Sequence, residues 1–374
     1  MRLDLPLTLA SASAVLLLGQ LLQRRIGPLG RTSIPAPVIG GLLFALAALF
    51  APTTVDTTLR APLQTVFFTT IGLGASVGLI RRGGRPLVVL WVIATLAAVV
   101  QNVAGIGLAT MLGVPRELGI IAGALTLTGG PATGLAFSQI FQGRGLVQAP
   151  ELIIASATFG ILAASLVGNP IATLLIRRQP GNGGEREAAV PAAKPVERLL
   201  PHLIVLLMLA GAGTALSGVI SSAGFILPGY IGAMVLGFLL RPYLNVNAQT
   251  IEVIGSVALA YFLAIALMDL KLAQLASLAA PLLIILAVQV VVTCAYSVVT
   301  AFYLAARDYE AAVTTSGLIG FLLGITPNAV ANMDALERKY GPAPQSLLIV
   351  TITGGFLIDF SNSLVITVFL NYLR

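Results

Sequence analysis

Ten stretches of this chain are apolar over a length that approaches or reaches a bilayer crossing, and two more are apolar but broken in the middle. A spanning helix needs about 20 mostly apolar residues. Candidates fall at 5–23, 37–52, 62–80, 86–112, 151–176, 200–220, 226–240, 250–269, 281–304 and 345–372. In hydrocarbon every backbone polar group must be satisfied inside the fold, so runs of this length become helices. Only 9% of residues are charged, against roughly 25% in a soluble globular protein. The mean hydropathy is +0.98. These values exclude a soluble enzyme, a disordered chain and a nucleic-acid binder. The net charge of +7 sits in short clusters between apolar runs, not along a phosphate-tracking surface. One cysteine, Cys294, and one histidine, His202, leave no disulfide framework and no Cys/His zinc site. The first apolar run, Leu5 to Leu18, is followed by Gln23-Arg24-Arg25 without a small-residue cleavage site, so it reads as a retained helix.

The two broken stretches, 117–142 and 310–337, carry Gly, Thr, Pro and Asn at their centres. Each reads as a re-entrant hairpin, since irregular backbone at membrane depth is tolerated only where it lines a cavity or is buried in protein. With the N-terminus outside and both hairpins re-entrant, 15 of the 21 Lys and Arg fall on inside loops. That is a strong positive-inside bias. It places both termini in the periplasm and the polar segment at 177–199 in the cytoplasm. His202 then begins the sixth span, at the interface.

An internal repeat organises the chain. Ile39-Gly40-Gly41 recurs as Ile231-Gly232-Ala233, Phe68 to Leu73 as Phe262 to Leu267, Pro86-Leu87 as Pro281-Leu282, and Pro131 as Pro327. The offset drifts only from 192 to 196. Each half has five spans, so two copies joined end to end insert with opposite orientation. The predicted fold is therefore an all-α polytopic membrane protein of two inverted five-helix repeats, with about ten transmembrane helices in all. Residues 1–176 form the first repeat, with hairpin 117–142. Residues 177–199 are a flexible linker, and 200–374 form the second repeat, with hairpin 310–337. Inverted repeats with discontinuous helices characterise secondary transporters.

The first hairpin reads Thr126-Leu127-Thr128-Gly129-Gly130-Pro131-Ala132-Thr133-Gly134, and the second Gly324-Ile325-Thr326-Pro327-Asn328-Ala329-Val330-Ala331-Asn332. Freed carbonyls beside hydroxyl and amide oxygens suit a hard monovalent cation, by extension from divalent sites and channel filters. Asp359 lies near the middle of the last span, where a carboxylate costs about 3 kcal/mol to insert and needs a partner or a water-filled cavity. Asn362, three residues on, shares its helix face. Gln101, Asn102 and Asn169 read as polar glue between helices, and Asp269, two residues from Lys271, as a span-end group. No Lys or Arg occurs at the depth of Asp359. An acidic substrate would need helix N-termini, neutral donors and a co-bound cation. Zinc-protease and paired Ser/His signatures are missing, so the chain is not read as an enzyme. An intramembrane enzyme and a channel remain as competing classes.

These residues resemble the bacterial sodium/glutamate symporters, also called the glutamate:sodium symporter family. The resemblance runs through SIPAPVIGGL (33–42), FFTTIGL (67–73), GALTLTGGPATG (123–134), ALMDLKLAQLASLAAPLLIILAVQ (266–289), GFLLGITPNAVANM (320–333) and GGFLIDFSNSLVI (354–366). It implies sodium-coupled glutamate uptake across the bacterial inner membrane by a homodimer working through an elevator motion. Candidate substrate contacts are then Thr128, Gly129, Gly130, Thr133, Thr326, Asn328 and Asn332. Candidate sodium ligands are Thr126, Thr326, Asn328, Asp359 and Asn362. The family typically carries Gly-Gly-His-Gly-Thr-Gly where this chain has Gly129-Gly130-Pro131-Ala132-Thr133-Gly134, and Asp269 stands where a glycine is associated with the family. A proton- or sodium-coupled carrier of another carboxylate or amino acid is the alternative.

Overall fold

The computed structural model describes residues 2–26, 34–51, 53–74, 77–178, 198–223, 227–271 and 278–373. Most of the linker expected at 177–199 lies outside them. Within them the chain is helical, and the one extended pairing is an isolated bridge between Arg2 and Thr54.

The first half holds α1 (Leu5–Arg25), α2 (Ala36–Ala48), α3 (Arg60–Gly74) and α4 (Val77–Met111). It continues with α5 (Arg116–Ile120), extended by a π turn at Ile121–Leu125, then α6 (Gly130–Gly143) and α7 (Ala149–Arg178). The second half holds α8 (Leu199–Ser222), α9 (Gly229–Leu240), α10 (Ala248–Met268) and α11 (Ala279–Ser297), the last extended by a π turn at Val298–Tyr303. Then come α12 (Tyr309–Leu323), α13 (Thr326–Tyr340), α14 (Pro344–Ile352) and α15 (Ile358–Tyr372), the last two joined through a π turn at Thr353–Leu357.

Local chemistry explains the ends. Asp4, Asn247 and Asp308 cap α1, α10 and α12, their side chains accepting from Leu7 N at 3.0 Å, Thr250 N at 3.0 Å and Ala311 N at 2.8 Å. Each satisfies a backbone donor that a helix start leaves open. Arg24 and Arg25 occupy the last turn of α1, where the helix dipole favours cations. Pro86 lies inside α4, two residues beyond a break at Gly84 with φ 58°.

Seven helices among the described residues are long and apolar enough to cross a membrane, where the sequence predicts ten. The stretches 37–52, 62–80 and 226–240 form helices of 13, 15 and 12 residues. At 1.5 Å per residue these reach only about 18–23 Å, short of a hydrocarbon core of about 30 Å. At α2 the apolar composition continues past Ala48 but the regular helix does not. The helix α9 stops at Arg241-Pro242, and α2 closes in a tightened turn with Leu49 N donating to Leu46 O.

The helices pack in two bodies. One gathers α1, α2, α3, α8, α9 and α10; the other gathers α4 to α7 and α11 to α15. Within a bilayer such packing rests on close contact and small residues more than on hydrophobic drive. The crossing of α8 and α9 shows this. A Cβ on Gly232 would fall 2.2 Å from Gly213 O, and one on Gly213 would fall 2.1 Å from Ala233 Cα.

Candidate functional site

The broken stretches come together in the second body. Between α5 and α6 the helix fails at Gly123, whose φ of −102° and ψ of −139° are not helical. It restarts at Gly130, in the left-handed region at φ 66°, with Pro131 in the first turn of α6. Proline is well placed there because a first-turn N–H has no intrahelical partner. Between α12 and α13 the break spans Gly324 and Ile325, and Pro327 again sits in the first turn. The two breaks touch. A Cβ on Gly130 would stand 2.9 Å from Ile325 Cγ2, and Thr128 Oγ1 reaches Leu322 O at 3.5 Å.

Beneath this crossing lies a buried polar cluster. Thr128 Oγ1 donates to Gln101 Oε1 at 2.7 Å. Gln101 Nε2 donates to Leu322 O at 2.8 Å and to Thr293 Oγ1 at 3.0 Å. Gln101 therefore ties α4 to both breaks and to α11. The peptide of Ala124 is clamped from two sides: its N–H donates to Asn102 Oδ1 at 3.1 Å, and its carbonyl accepts from Asn362 Nδ2 at 2.9 Å. Asn362 Oδ1, Asn102 Nδ2 and Gln289 Oε1 are buried without a partner among the described residues. Thr126 Oγ1 donates to Ile121 O at 2.5 Å and pairs with Ser156 Oγ at 2.6 Å. Gly129 N donates to Ala124 O at 3.0 Å, and Thr133 packs against Gly129 in the first turn of α6.

The second break faces a cavity of about 720 Å³. Thr326 and Asp359 line it from the second body, Thr70, Glu252 and Ser256 from the first, and Arg241 also lines it. Thr326 Oγ1 donates to Gly354 O at 2.6 Å. The carboxylate of Asp359 makes no hydrogen bond or ion pair with a described residue, and Asp359 borders the cavity. Asp359 and Asn362 therefore serve different places: the first faces the cavity and the second the clamped turn at Ala124. Asn328 and Asn332 turn to α7 instead. Asn328 Nδ2 donates to Ile161 O at 3.0 Å and Ser165 Oγ at 2.8 Å, and Asn332 Nδ2 to Ala164 O at 3.1 Å.

The polar glue expected at Asn169 is present, with Ser316 Oγ donating to its Oδ1 at 3.0 Å. His202, in the first turn of α8, is buried at 6% exposure; its Nε2 accepts from Asn247 N at 2.9 Å. Sequence reasoning singled out neither Gln289, Ser156, Glu252 nor Arg241. Gln289 is the one amide side chain in the apolar helix α11, the signal that could have marked it.

Residues 1–342 match the family described as sodium/glutamate symporter. The sodium/glutamate symporter of Escherichia coli (strain K12) is 37% identical over 391 residues, covering 98% of each chain. That of Haemophilus influenzae is 36% identical over 386 residues, covering 96% of each. Among solved structures, the sodium proton antiporter MjNhaP1 of Methanocaldococcus jannaschii is 17% identical and aligns with 98% of this chain and 96% of its own at a TM-score of 0.47.

Proposed function

The chain belongs to the sodium/glutamate symporter family, and from that premise we infer that it carries glutamate across the bacterial inner membrane, driven by sodium. It moves a solute and transforms none. The observation that carries the site assignment is the contact of the two helix breaks beside a cavity holding an unpaired carboxylate. Broken helices at the repeat interface present amide and carbonyl ends to substrate and ion. Thr128, Gly129, Gly130, Thr133 and Thr326 would face the substrate. Thr126, Asp359 and Asn362 would serve sodium, with Asp359 balancing its charge. Asn328 and Asn332 would hold α13 in register on α7.

The recurring order of elements supports two inverted repeats, one over 1–176 and one over 200–374. The starts of α1 and α8 lie 194 residues apart, those of α6 and α13 196, and those of α7 and α14 195. With both helix pairs re-entrant, both termini fall in the periplasm and the linker in the cytoplasm. The cavity then opens to the cytoplasm, since Arg241 stands at an inside end. The division into two bodies supports an elevator motion in which α4–α7 and α11–α15 slide against the rest. A homodimer fits the same scheme, with the first body as its fixed part.

The test is glutamate uptake into proteoliposomes. A sodium gradient should drive accumulation that potassium or a proton gradient alone does not. Uptake without sodium, or accumulation of another carboxylate in preference to glutamate, would reject the assignment.

A further inference from the structure

Arg60 begins α3 and is buried, with 8% of its surface exposed. Its guanidinium meets only neutral acceptors. Nη2 donates to Ser138 Oγ at 2.6 Å and to Leu135 O at 3.1 Å, both on α6. Nε and Nη1 make no hydrogen bond to a described residue, and no carboxylate of a described residue lies within 4.0 Å. Asp269 acts on the group through its charge from beyond ion-pair distance. An arginine stays charged when buried, and a buried charge without a counter-ion is costly. Nε and Nη1 thus bond to no described residue, and once Nη2 leaves Ser138 it completes with either of them an edge that suits a carboxylate in two parallel hydrogen bonds.

The position of Arg60 matters as well. Arg60 belongs to the first body and its partners to the second. The same seam continues through Gln64 Nε2, 3.4 Å from Ala136 O, and through the edge-on stack of Tyr230 and Phe137, with centroids 5.7 Å apart. Lys271 N closes it by donating to the buried Glu151 Oε1 at 2.6 Å. In the topology proposed above this seam is periplasmic, while the cavity with Asp359 is cytoplasmic. The seam must part when the second body moves to open the outer side, and Ser138 then leaves Arg60.

We propose that Arg60 is the residue that receives the carboxylate of an acidic substrate at the outer face, masked by α6 in the present conformation. This rests on the symporter assignment. In the inward-open state the guanidinium holds α6 closed; in the outward-open state the same group meets the substrate. Ser138 and the substrate carboxylate compete for it, so substrate loading and opening of the outer seam favour one another.

The experiment measures glutamate KM from each side, in right-side-out and inside-out vesicles. Arg60→Gln should raise the KM at the periplasmic face at least about tenfold, with the cytoplasmic-face KM within about twofold of the parent. Arg60→Lys, which keeps the charge and a donor for Ser138 but loses the fork, should fall between them. It also serves as the test variant should Arg60→Gln not fold. Ser138→Ala removes the mask and not the receptor, so it should leave the periplasmic KM unchanged or lower it. Equal KM changes at both faces, or a Ser138→Ala variant that reproduces Arg60→Gln, would overturn the proposal and leave Arg60 a structural clasp. A parent protein without sodium-dependent glutamate uptake would overturn the functional assignment itself, and this proposal with it.

Discussion

Replacing Asp359 with asparagine separates a cation ligand from a structural carboxylate. The Asp359 side chain bonds to no described residue and borders open volume, so the substitution breaks no protein hydrogen bond and changes no packing. The cost to stability should stay within about 0.5 kcal/mol, as for a surface substitution. The cost to sodium binding is of another order. Unit charges about 4 Å apart attract by roughly 4 kcal/mol at an effective dielectric constant of 20. The amide oxygen remains as a neutral ligand and recovers part of that. A net loss of about 2–4 kcal/mol corresponds to roughly 30- to 1000-fold weaker sodium activation. Purified Asp359→Asn should therefore show a near-parental melting temperature in sodium-free buffer, with the sodium concentration for half-maximal uptake raised by at least about 30-fold. A folded variant with unaltered sodium activation would refute the cation role, as would one that loses stability to the same extent without sodium.

Three further outcomes follow from the geometry. Gln101→Leu strands Thr293 Oγ1 and leaves Thr128 Oγ1 and Leu322 O only their long 3.5 Å contact with each other, and at about 1–3 kcal/mol per unsatisfied buried group it should lower the melting temperature clearly and abolish transport; a stable, active variant would show that the cluster is not essential. Gly130→Ala places a side chain at φ 66° against Ile325, costing about 1–2 kcal/mol for the left-handed backbone alone, so transport should fall in the Gly130→Ala variant and stay near normal in Gly143→Ala, where a Cβ meets nothing. In a Cys294→Ala background, a cysteine at Gly355, which lines the cavity and has room for a side chain, should react with a membrane-impermeant thiol reagent applied to the cytoplasmic face, whereas one at the fully buried Ala329 should not; labelling from the periplasmic face alone would invert the proposed topology.

The helix breaks were legible because Gly129-Gly130-Pro131 and Gly324 to Pro327 interrupt apolar runs with residues that permit left-handed backbone or begin a helix. The long spans were legible because length and apolarity suffice to mark them. The short helices α2, α3 and α9 were not, since apolar composition alone does not mark where a helix ends, as at Ala48. At the site, Asp359 stood out as a lone carboxylate at depth, and it faces a cavity. The orientation of its neighbours could not be read in the same way. Asn328 and Asn332 look equivalent to the other polar residues of the break, yet their partners are carbonyls of α7 about 165 residues away in sequence. Nothing in the sequence around Arg60 signals that α6 will bury it.

The central claim is that two broken helices and a nearby carboxylate bind glutamate and sodium as one coupled unit. Asp359 makes no ion pair with a described residue, so a sodium ion bound at it would add positive charge for an acidic substrate, and linkage makes the help reciprocal. Calorimetry on the purified protein tests this most directly. Glutamate affinity measured across a sodium series at constant ionic strength should rise with sodium, and sodium affinity should rise by the same factor when glutamate is saturating. Glutamate affinity that is identical in sodium and in potassium would contradict the account.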